Sequence, residues 1–317
     1  MSVRDRVGSV FKSKEELDLT GGSIPRSLFF LSLPIIVTNM LQVGYNLADT
    51  FWLGRFSTDA LAAISLGFPL VYLFISLGLG LTVAGSVLVA QHTGAEQPGE
   101  AEYAASQTVV FTIAAGLVVG GVGFVFIDEL LQVFGAEPVV LTLATEYMRI
   151  ITAGLPFLFG FAVFVALMRG AGDTVTPMLV MLGTVILNVA LDPVLIFGWG
   201  PFPRMGVEGA AVATVFSRGS AMVVGVWIML RGAHGIRINP RDMRPDPAYI
   251  RRLLRIGAPA SLENTGRALS INAVLLIVTL FATPVVAGFG VGIRVFSMIF
   301  MPAIAIDRGV ETMTGQN

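Results

Sequence analysis

Charged residues, cysteine and histidine are all scarce in this sequence. Only 13% of its 317 residues are charged, whereas a soluble domain carries roughly 25%, so a soluble enzyme is excluded. The absence of cysteine excludes disulfides, iron–sulfur clusters and thiolate zinc sites. The two histidines, His92 and His234, are too few for a histidine-built metal centre or a haem pair. A net charge of −1 gives no indication of a nucleic-acid partner.

Sequence signatures of catalysis are missing as well. The chain contains no G-x-x-x-x-G-K-[ST], H-E-x-x-H or G-x-S-x-G motif. We therefore predict that the protein is not an enzyme and binds no cofactor. Without a phosphate-binding loop it cannot by itself be an ATP-driven pump. Transport, if it occurs, draws on an ion gradient or is passive.

Apolar residues, by contrast, make up 55% of the chain and form long runs. A helix needs about 20 mostly apolar residues to cross a bilayer. The sequence therefore predicts an all-α, polytopic membrane protein whose partner is the lipid bilayer. Its spans are expected near 27–54, 60–91, 101–127, 138–167, 174–198, 207–231, 249–281 and 284–316.

The basic residues orient these spans, because positively charged loops stay in the cytosol. With the N-terminus inside, the cytosolic side carries the basic residues of the first 26 positions, Arg169 and the arginines between residues 231 and 255. The outer side then carries only Arg55 and Arg204. We predict a multi-pass protein of the cell (plasma) membrane with a cytosolic N-terminus.

An internal repeat predicts the domain organisation. When the sequence is aligned with itself at a fixed offset, Pro34 matches Pro259 and Asn39 matches Asn264. In the same alignment, spans one and two match spans seven and eight. Both copies enter the membrane from the same side, as in parallel-repeat transporters. The expected units are a cytosolic tail at residues 1–26, a six-helix lobe at 27–231 and a cytosolic linker at 232–248. Residues 249–317 are expected to form the first two helices of a second, incomplete lobe.

The second copy stops after two helices, and the linker is strongly basic. We expect a fragment of a longer transporter; a truncated product or a chain completed by association are the alternatives. For residues 232–248, a strip that binds anionic lipids is the alternative to a plain linker.

Polar side chains line one face of span one. Asn39, Gln42, Asn46 and Asp49 follow the spacing of a single helix face. A charge at the bilayer centre costs roughly 2.5–3.5 kcal/mol, so such groups face a bundle interior or a water-filled cavity. The structural alternative is hydrogen bonding between helices. Because Asp49 is ionisable, we favour a functional role.

Span five repeats the pattern with Thr184, Asn188 and Asp192 on one face, followed by Pro193. If Asp49 and Asp192 face one cavity, their repulsion leaves one of them protonated, or the pair holds a cation. Oxygen ligands suit a hard cation such as Na⁺. The alternative is that each aspartate caps a helix end near an interface.

Other polar residues are harder to place. Tyr147 in span four either points its hydroxyl into the same cavity or is an ordinary interfacial tyrosine. Glu263 and Arg267 in span seven form an i,i+4 pair. The charges of span eight have no clear assignment: they pair internally, or this segment is not a normal span. They are Arg294, Asp307, Arg308 and Glu311.

Several motifs, in order, resemble the multidrug and toxic compound extrusion (MATE) family, and the likeness covers roughly residues 22–317. The residue pattern at Asp49, Asn188 and Asp192 is similar to that of the archaeal and DinF-type branch. The motifs are Leu33-Pro34, LADTFWLG at 47–54, GSVLVAQ at 85–91, RGAGDT at 169–174, NVALDP at 188–193, GVEGAAVAT at 206–214 and PASLE at 259–263.

This resemblance implies twelve helices in two lobes around a V-shaped cavity, of which helices nine to twelve are missing here. It implies alternating-access antiport of organic cations or lipophilic drugs against H⁺ or Na⁺, without a cofactor. By position, the coupling site consists of Asp49, Asn188, Asp192 and Thr214, which are also the Na⁺ ligands if the ion is Na⁺. The substrate cavity is lined by Gln42, Asn46, Tyr147, Asn39 and Thr184.

Two further functions compete with this one. The first is a flippase for lipid-linked precursors from the same superfamily, which would be favoured by a cationic lobe interior. Here the candidate cavity is acidic, which favours organic cations. The second is a truncated membrane protein that transports nothing. A membrane enzyme is disfavoured because no catalytic constellation is present.

Overall fold

The computed structural model describes residues 23–132, 137–232, 235–278, 300 and 302–317. Within these residues, all regular structure is helical. Most connections are short, and a 3₁₀ turn at Pro240–Met243 interrupts the longest one. The helices are α1 Ile24–Phe56, α2 Thr58–Gly94, α3 Pro98–Gln132, α4 Pro138–Gly170, α5 Val175–Phe197, α6 Val207–Arg231, α7 Pro247–Val278 and α8, described over 302–316.

Helices α1 to α6 are each long and apolar enough to cross a bilayer. This confirms the prediction of an all-α, multi-pass membrane protein. The described part of α7 is more polar and is not among the candidate spans. Much of the predicted tail and the start of the eighth span, with Arg294, lie outside the described residues.

Local side-chain chemistry sets the short turns between spans. The Ser57 hydroxyl accepts a hydrogen bond from the Ala60 N–H at 2.9 Å and caps α2. In the RGAGDT motif, the Asp173 carboxylate accepts from the N–H groups of Val175 and Thr176 at 3.0 and 2.9 Å. Gly172, with a φ of 90°, makes the turn that brings Asp173 to the start of α5.

The core consists of two hydrophobic clusters. One joins helices α1 through α6 to the linker and the start of α7, and includes Phe164 and Tyr45. The other joins the opposite ends of α1 to α6 and includes Leu155 and Tyr147. The two tyrosines come from different clusters. On α1, Asp49 lies between Tyr45 of the first cluster and Leu53 of the second, and so at the boundary between the clusters.

Helix α7 packs closely against α2. A side chain at Gly80 would collide with the Gly257 carbonyl and with Ser261, so glycine allows this approach. The Ser261 hydroxyl donates to the Leu77 carbonyl at 3.0 Å. One turn away, the hydroxyl oxygens of Ser76 and Thr265 lie 3.0 Å apart.

Helix α8 contacts the first lobe through its last turns. The buried Gln316 side chain donates to the Gly170 carbonyl at 2.9 Å. Arg308 pairs with Glu311 at 2.9 Å, so this part of the charge cluster pairs internally. Asp307 and Glu311 also line a cavity of about 370 Å³ beside Gln91 of α2. The predicted i,i+4 pair of Glu263 with Arg267 is confirmed, at 3.1 Å on the exposed surface of α7.

The segment between α6 and α7 is held against α3 by side-chain hydrogen bonds. Buried Gln107 donates to the backbone carbonyls of Asp242 and Arg244, both at 2.6 Å. Its carbonyl accepts from the Asp246 N–H at 3.1 Å. The Tyr103 hydroxyl donates to the Asp246 carboxylate at 2.8 Å, which holds the pKa of that carboxyl below its ordinary value. The connection is therefore docked on the first lobe along most of its length.

Replacing Gln107 by alanine is expected to release this segment. The change removes hydrogen bonds worth about 1 kcal/mol each, so the linker opens about tenfold more often or more, since 1.4 kcal/mol is a factor of ten. Trypsin cleavage after the exposed Arg237 and Arg241, measured on detergent-solubilised protein, should accelerate accordingly. Gln132→Ala, an exposed change on the same helix, is the control. Equal cleavage rates in the two variants would contradict this account.

Candidate functional site

The predicted coupling residues lie where α1, α5 and α6 meet. Asn188 and Asp192 are one turn apart on α5, and both have side chains that are 0% exposed. Thr214 on α6 is also buried. Asp49 lies inside α1, half-buried, with its carboxylate close to the polar groups of Asp192, Asn188 and Thr214. All four residues are therefore in one place.

Neither aspartate caps a helix. Asp49 lies within α1, whose C-terminal cap is Ser57. Asp192 lies within α5, whose C-terminal cap is Gly198. The alternative assignment of the two carboxylates as helix caps is therefore wrong. Both are interior groups of long apolar helices.

The oxygen atoms of this cluster have few hydrogen-bond donors. The Asn188 amide donates to Asp192 Oδ1 at 3.2 Å. Four of the buried oxygens that have no hydrogen-bond partner in the described structure belong to this cluster: Asp49 Oδ1, Asp192 Oδ2, Asn188 Oδ1 and Thr214 Oγ1. Buried polar groups are normally satisfied, so this concentration indicates a place for a bound proton or cation.

The chemistry of these oxygens fits a hard monovalent cation or a shared proton. Two carboxylates close together in a low-dielectric site cannot both stay charged without a counter-charge. Amide and hydroxyl oxygens complete a ligand set of the kind that such cations prefer. Among the described residues, no group of three or more His, Cys, Asp or Glu side chains comes together. A cation here would therefore depend on the neutral oxygens as well as on the aspartates.

Pro193 adds a backbone oxygen to this region. Proline inside a helix has no N–H, so the carbonyl four residues earlier, that of Val189, loses its helical donor. Val189 directly follows Asn188 in sequence. The free carbonyl therefore lies within one turn of the two buried polar side chains of α5.

The predicted cavity residues are only partly brought together. Gln42 donates to Asn46 at 3.2 Å on the exposed face of α1. Tyr147 is almost fully buried and interacts electrostatically with Asp49. The Thr184 hydroxyl donates instead to the Val180 carbonyl of its own helix, at 2.7 Å. No hydrogen bond given by the described residues joins Thr184 or Asn39 to the aspartates.

Two further residues belong to the site although the sequence interpretation did not assign them to it. Tyr45 lies one turn before Asp49 and is buried, and its hydroxyl has no hydrogen-bond partner in the described structure. Arg218 lies one turn after Thr214, with its guanidinium 4.6 Å from the centroid of the Tyr45 ring. The signal was available, because a spacing of four residues places each of them on the face of a predicted site residue.

The chain is similar to several known proteins. The family model described as MatE matches residues 34–194. The chain is 31% identical to the probable multidrug resistance protein YoeA of Bacillus subtilis, over 93% of this chain and 65% of that protein. It is 30% identical to an FAD transporter of Shewanella oneidensis, over 96% of this chain and 67% of that protein. The chain thus spans about two thirds of the length of these relatives.

A solved structure has the same fold over most of this chain. The outward-facing conformation of a multidrug resistance MATE family transporter of the MOP superfamily superposes with a TM-score of 0.86 at 28% identity. The superposition covers 96% of this chain and 67% of that one. The similarity includes the helices that carry Asp49, Asn188, Asp192 and Thr214.

Proposed function

The chain belongs to the MatE family, whose members are transporters and not enzymes, and from this we propose that it forms the larger part of a secondary active multidrug exporter. The exporter moves organic cations or lipophilic drugs out of the cell in exchange for H⁺ or Na⁺. The observation that carries the proposal is the cluster of unpartnered buried oxygens around Asp49 and Asp192. No cofactor takes part; the coupling ion is itself a transported substrate.

In this mechanism, Asp49 and Asp192 act as one unit. Binding of a proton or Na⁺ removes the repulsion between the carboxylates and satisfies the oxygens of Asn188 and Thr214. The bound state favours one orientation of the lobe and the ion-free state favours the other, so the gradient shifts the population between them. Substrate binds in the complementary state and leaves on the opposite side of the membrane.

The substrate class follows from the cavity and from the names of the relatives. Asp49 and the amides of Gln42, Asn46 and Asn39 lie along one face of α1, and Asp192 of α5 lies beside Asp49. A cationic compound is attracted to this acidic surface. Tyr147 and Thr184 contribute surface behind it. YoeA is named as a probable multidrug resistance protein, and we assign the same broad class to this protein.

The proposed organisation keeps the predicted units. Residues 1–26 are a cytosolic tail, 27–231 the first lobe, 232–248 a cytosolic linker and 249–317 the start of the second lobe. We place the protein in the cell membrane with the N-terminus inside. The part of the relatives' length that this chain does not cover is required for transport and completes the second lobe.

Efflux from cells tests this function. The complete product of the reading frame, expressed in bacteria that lack their own multidrug exporters, should lower the steady-state accumulation of a fluorescent organic cation such as rhodamine 123. A protonophore or a Na⁺ ionophore should abolish the difference from cells carrying an empty vector, because the gradient supplies the energy. Efflux that continues after both gradients are collapsed would rule out a secondary exporter.

A further inference from the structure

A positive charge lies inside the first lobe, close to the acidic pair. Arg218 projects from α6 toward α1, where one guanidinium nitrogen donates to Oε1 of Gln42. The guanidinium carbon lies 4.6 Å from the centroid of the Tyr45 ring and 5.2 Å from that of Phe161. Another guanidinium nitrogen contacts the Met181 sulfur at 3.5 Å. The orientation of this side chain is therefore fixed by neutral groups on three helices, α1, α4 and α5.

No anion in the described structure neutralises Arg218. Its guanidinium forms no ion pair with any described Asp or Glu within 4.0 Å, although Arg149, Arg267 and Arg308 all do. A charged side chain that is removed from water is normally paired, and Arg218 is half-buried without such a partner. The nearest acidic influence is Asp49, which acts through space without direct contact. An unpaired, rigidly held guanidinium in a transport lobe is the kind of group that binds an anion supplied by a ligand.

Arg218 also keeps hydrogen-bond donors for such a ligand. A guanidinium has five N–H groups, and the contacts to Gln42 and Met181 engage only two of its nitrogens. The side chain is half-buried, and none of its nitrogens is among the buried atoms that lack a partner. The remaining donors therefore reach open space. The planar, forked group suits a carboxylate or phosphate, which it can bind through two parallel hydrogen bonds.

The position of Arg218 relative to Asp49 defines a distance between two opposite charges. Gln42, Tyr45 and Asp49 lie along one face of α1, and Arg218 is bound to Gln42 at one end of that row. Seven residues separate Gln42 from Asp49, which is about 10 Å along a helix. The buried ring of Tyr45 packs against the guanidinium and helps to hold it in place. A ligand that fits this row carries an anionic group at the Arg218 end and a cationic group at the Asp49 end.

We propose that Arg218 binds the anionic group of amphoteric substrates, a carboxylate or a phosphate, while their cationic group lies toward Asp49. This inference rests on the proposed export function and narrows its substrates. Arg218 is then a specificity-determining residue. Compounds with both charges bind better than their esterified, purely cationic counterparts. The acidic pair alone would favour the purely cationic esters over the compounds that carry both charges.

A matched pair of dyes tests the proposal. Rhodamine 110 carries a carboxylate and a delocalised cation, and rhodamine 123 is its methyl ester. Binding of each dye to the complete purified protein in neutral detergent is measured by fluorescence anisotropy. Arg218→Met should weaken binding of rhodamine 110 about tenfold, the loss expected for a hydrogen bond to a charged group. Binding of rhodamine 123 should change by less than about threefold, which is under half of that free energy.

Two further variants complete the design. Arg149→Met removes an exposed arginine that pairs with Asp128 and should leave the affinity for both dyes unchanged. Arg218→Lys keeps the positive charge but lacks the planar, forked arrangement of donors. It should bind rhodamine 110 more tightly than Arg218→Met does and less tightly than the wild type does. It also provides a result if Arg218→Met does not fold, since a lysine variant that binds both dyes as the wild type does would overturn the proposal.

The outcome separates this inference from the export function. If Arg218→Met weakens the binding of both dyes equally, or of neither, Arg218 does not bind the anionic group. This conclusion holds even if gradient-driven efflux of rhodamine 123 is intact. If the wild-type protein shows no gradient-driven efflux of either dye, the export function itself fails. Weaker binding of rhodamine 110 with nearly unchanged binding of rhodamine 123 is the result that supports the inference.

Discussion

Replacing Asp192 by asparagine is expected to reduce gradient-driven efflux to the level of vesicles without protein. The amide has nearly the size of the carboxylate, so the fully buried position stays filled. It cannot take up a proton, and it removes a negative charge that a cation would need. The site is then fixed in a neutral state, and the gradient no longer shifts the conformational equilibrium. Dye uptake into inside-out vesicles energised by a proton or Na⁺ gradient measures the loss.

Asp49→Asn should have the same effect, and the double variant should be no worse than either single one. This non-additivity is expected because the two carboxylates bind one ion as a unit. Asp59→Asn, an exposed aspartate at the start of α2, is the control and should transport normally. Thermal unfolding in detergent checks that each variant is folded. Gradient-driven efflux that survives in a folded Asp49→Asn, Asp192→Asn double variant would refute the coupling site.

Cross-linking α2 to α7 is expected to stop transport completely and reversibly. The hydroxyl oxygens of Ser76 and Thr265 lie 3.0 Å apart, so cysteines at the two positions are close enough for a disulfide with little backbone movement. These 317 residues contain no cysteine, so within them the engineered pair has no competitor. If the two proposed lobes rock against each other during the cycle, a covalent bond between α2 and α7, which we assign to different lobes, holds the transporter in one conformation.

The experiment compares oxidised and reduced protein in the same vesicles. Oxidised Ser76→Cys, Thr265→Cys protein should show no efflux, and dithiothreitol should restore it to the level of the two single-cysteine variants. The single variants, treated with the same oxidant, report any damage from oxidation. Full transport by protein that is quantitatively cross-linked would show that α2 and α7 move together, which excludes the proposed rocking at this contact.

The first six spans and the central pair of carboxylates were predictable from the sequence for a physical reason. A bilayer demands long apolar runs, so every ionisable side chain inside one is conspicuous. Helical spacing then placed Asn188 and Asp192 on the same face, and the structure has them one turn apart and fully buried. Thr214 was predicted only through resemblance, because a single threonine after a run of small residues has no distinctive pattern of its own.

The parts that sequence did not predict depend on contacts between helices or on local competition. Thr184 has the right spacing, but a threonine hydroxyl in a helix can bond to its own backbone, and here it does so. Arg218 lies on the same face as Thr214, yet its significance comes from Gln42 and Tyr45 on another helix. Gln107 is one polar residue in an apolar helix, and only the fold shows that it holds the linker.

Cation counterflow in vesicles is the most direct measurement of coupling at the Asp49 and Asp192 site. The complete protein is reconstituted with no ion gradient, and an outward gradient of rhodamine 123 is imposed. A trapped pH dye and radioactive Na⁺ report the movement of each ion. Dye efflux should drive H⁺ or Na⁺ inward through the wild-type protein and not through Asp192→Asn. Dye efflux through the wild-type protein that moves neither cation would contradict coupled antiport.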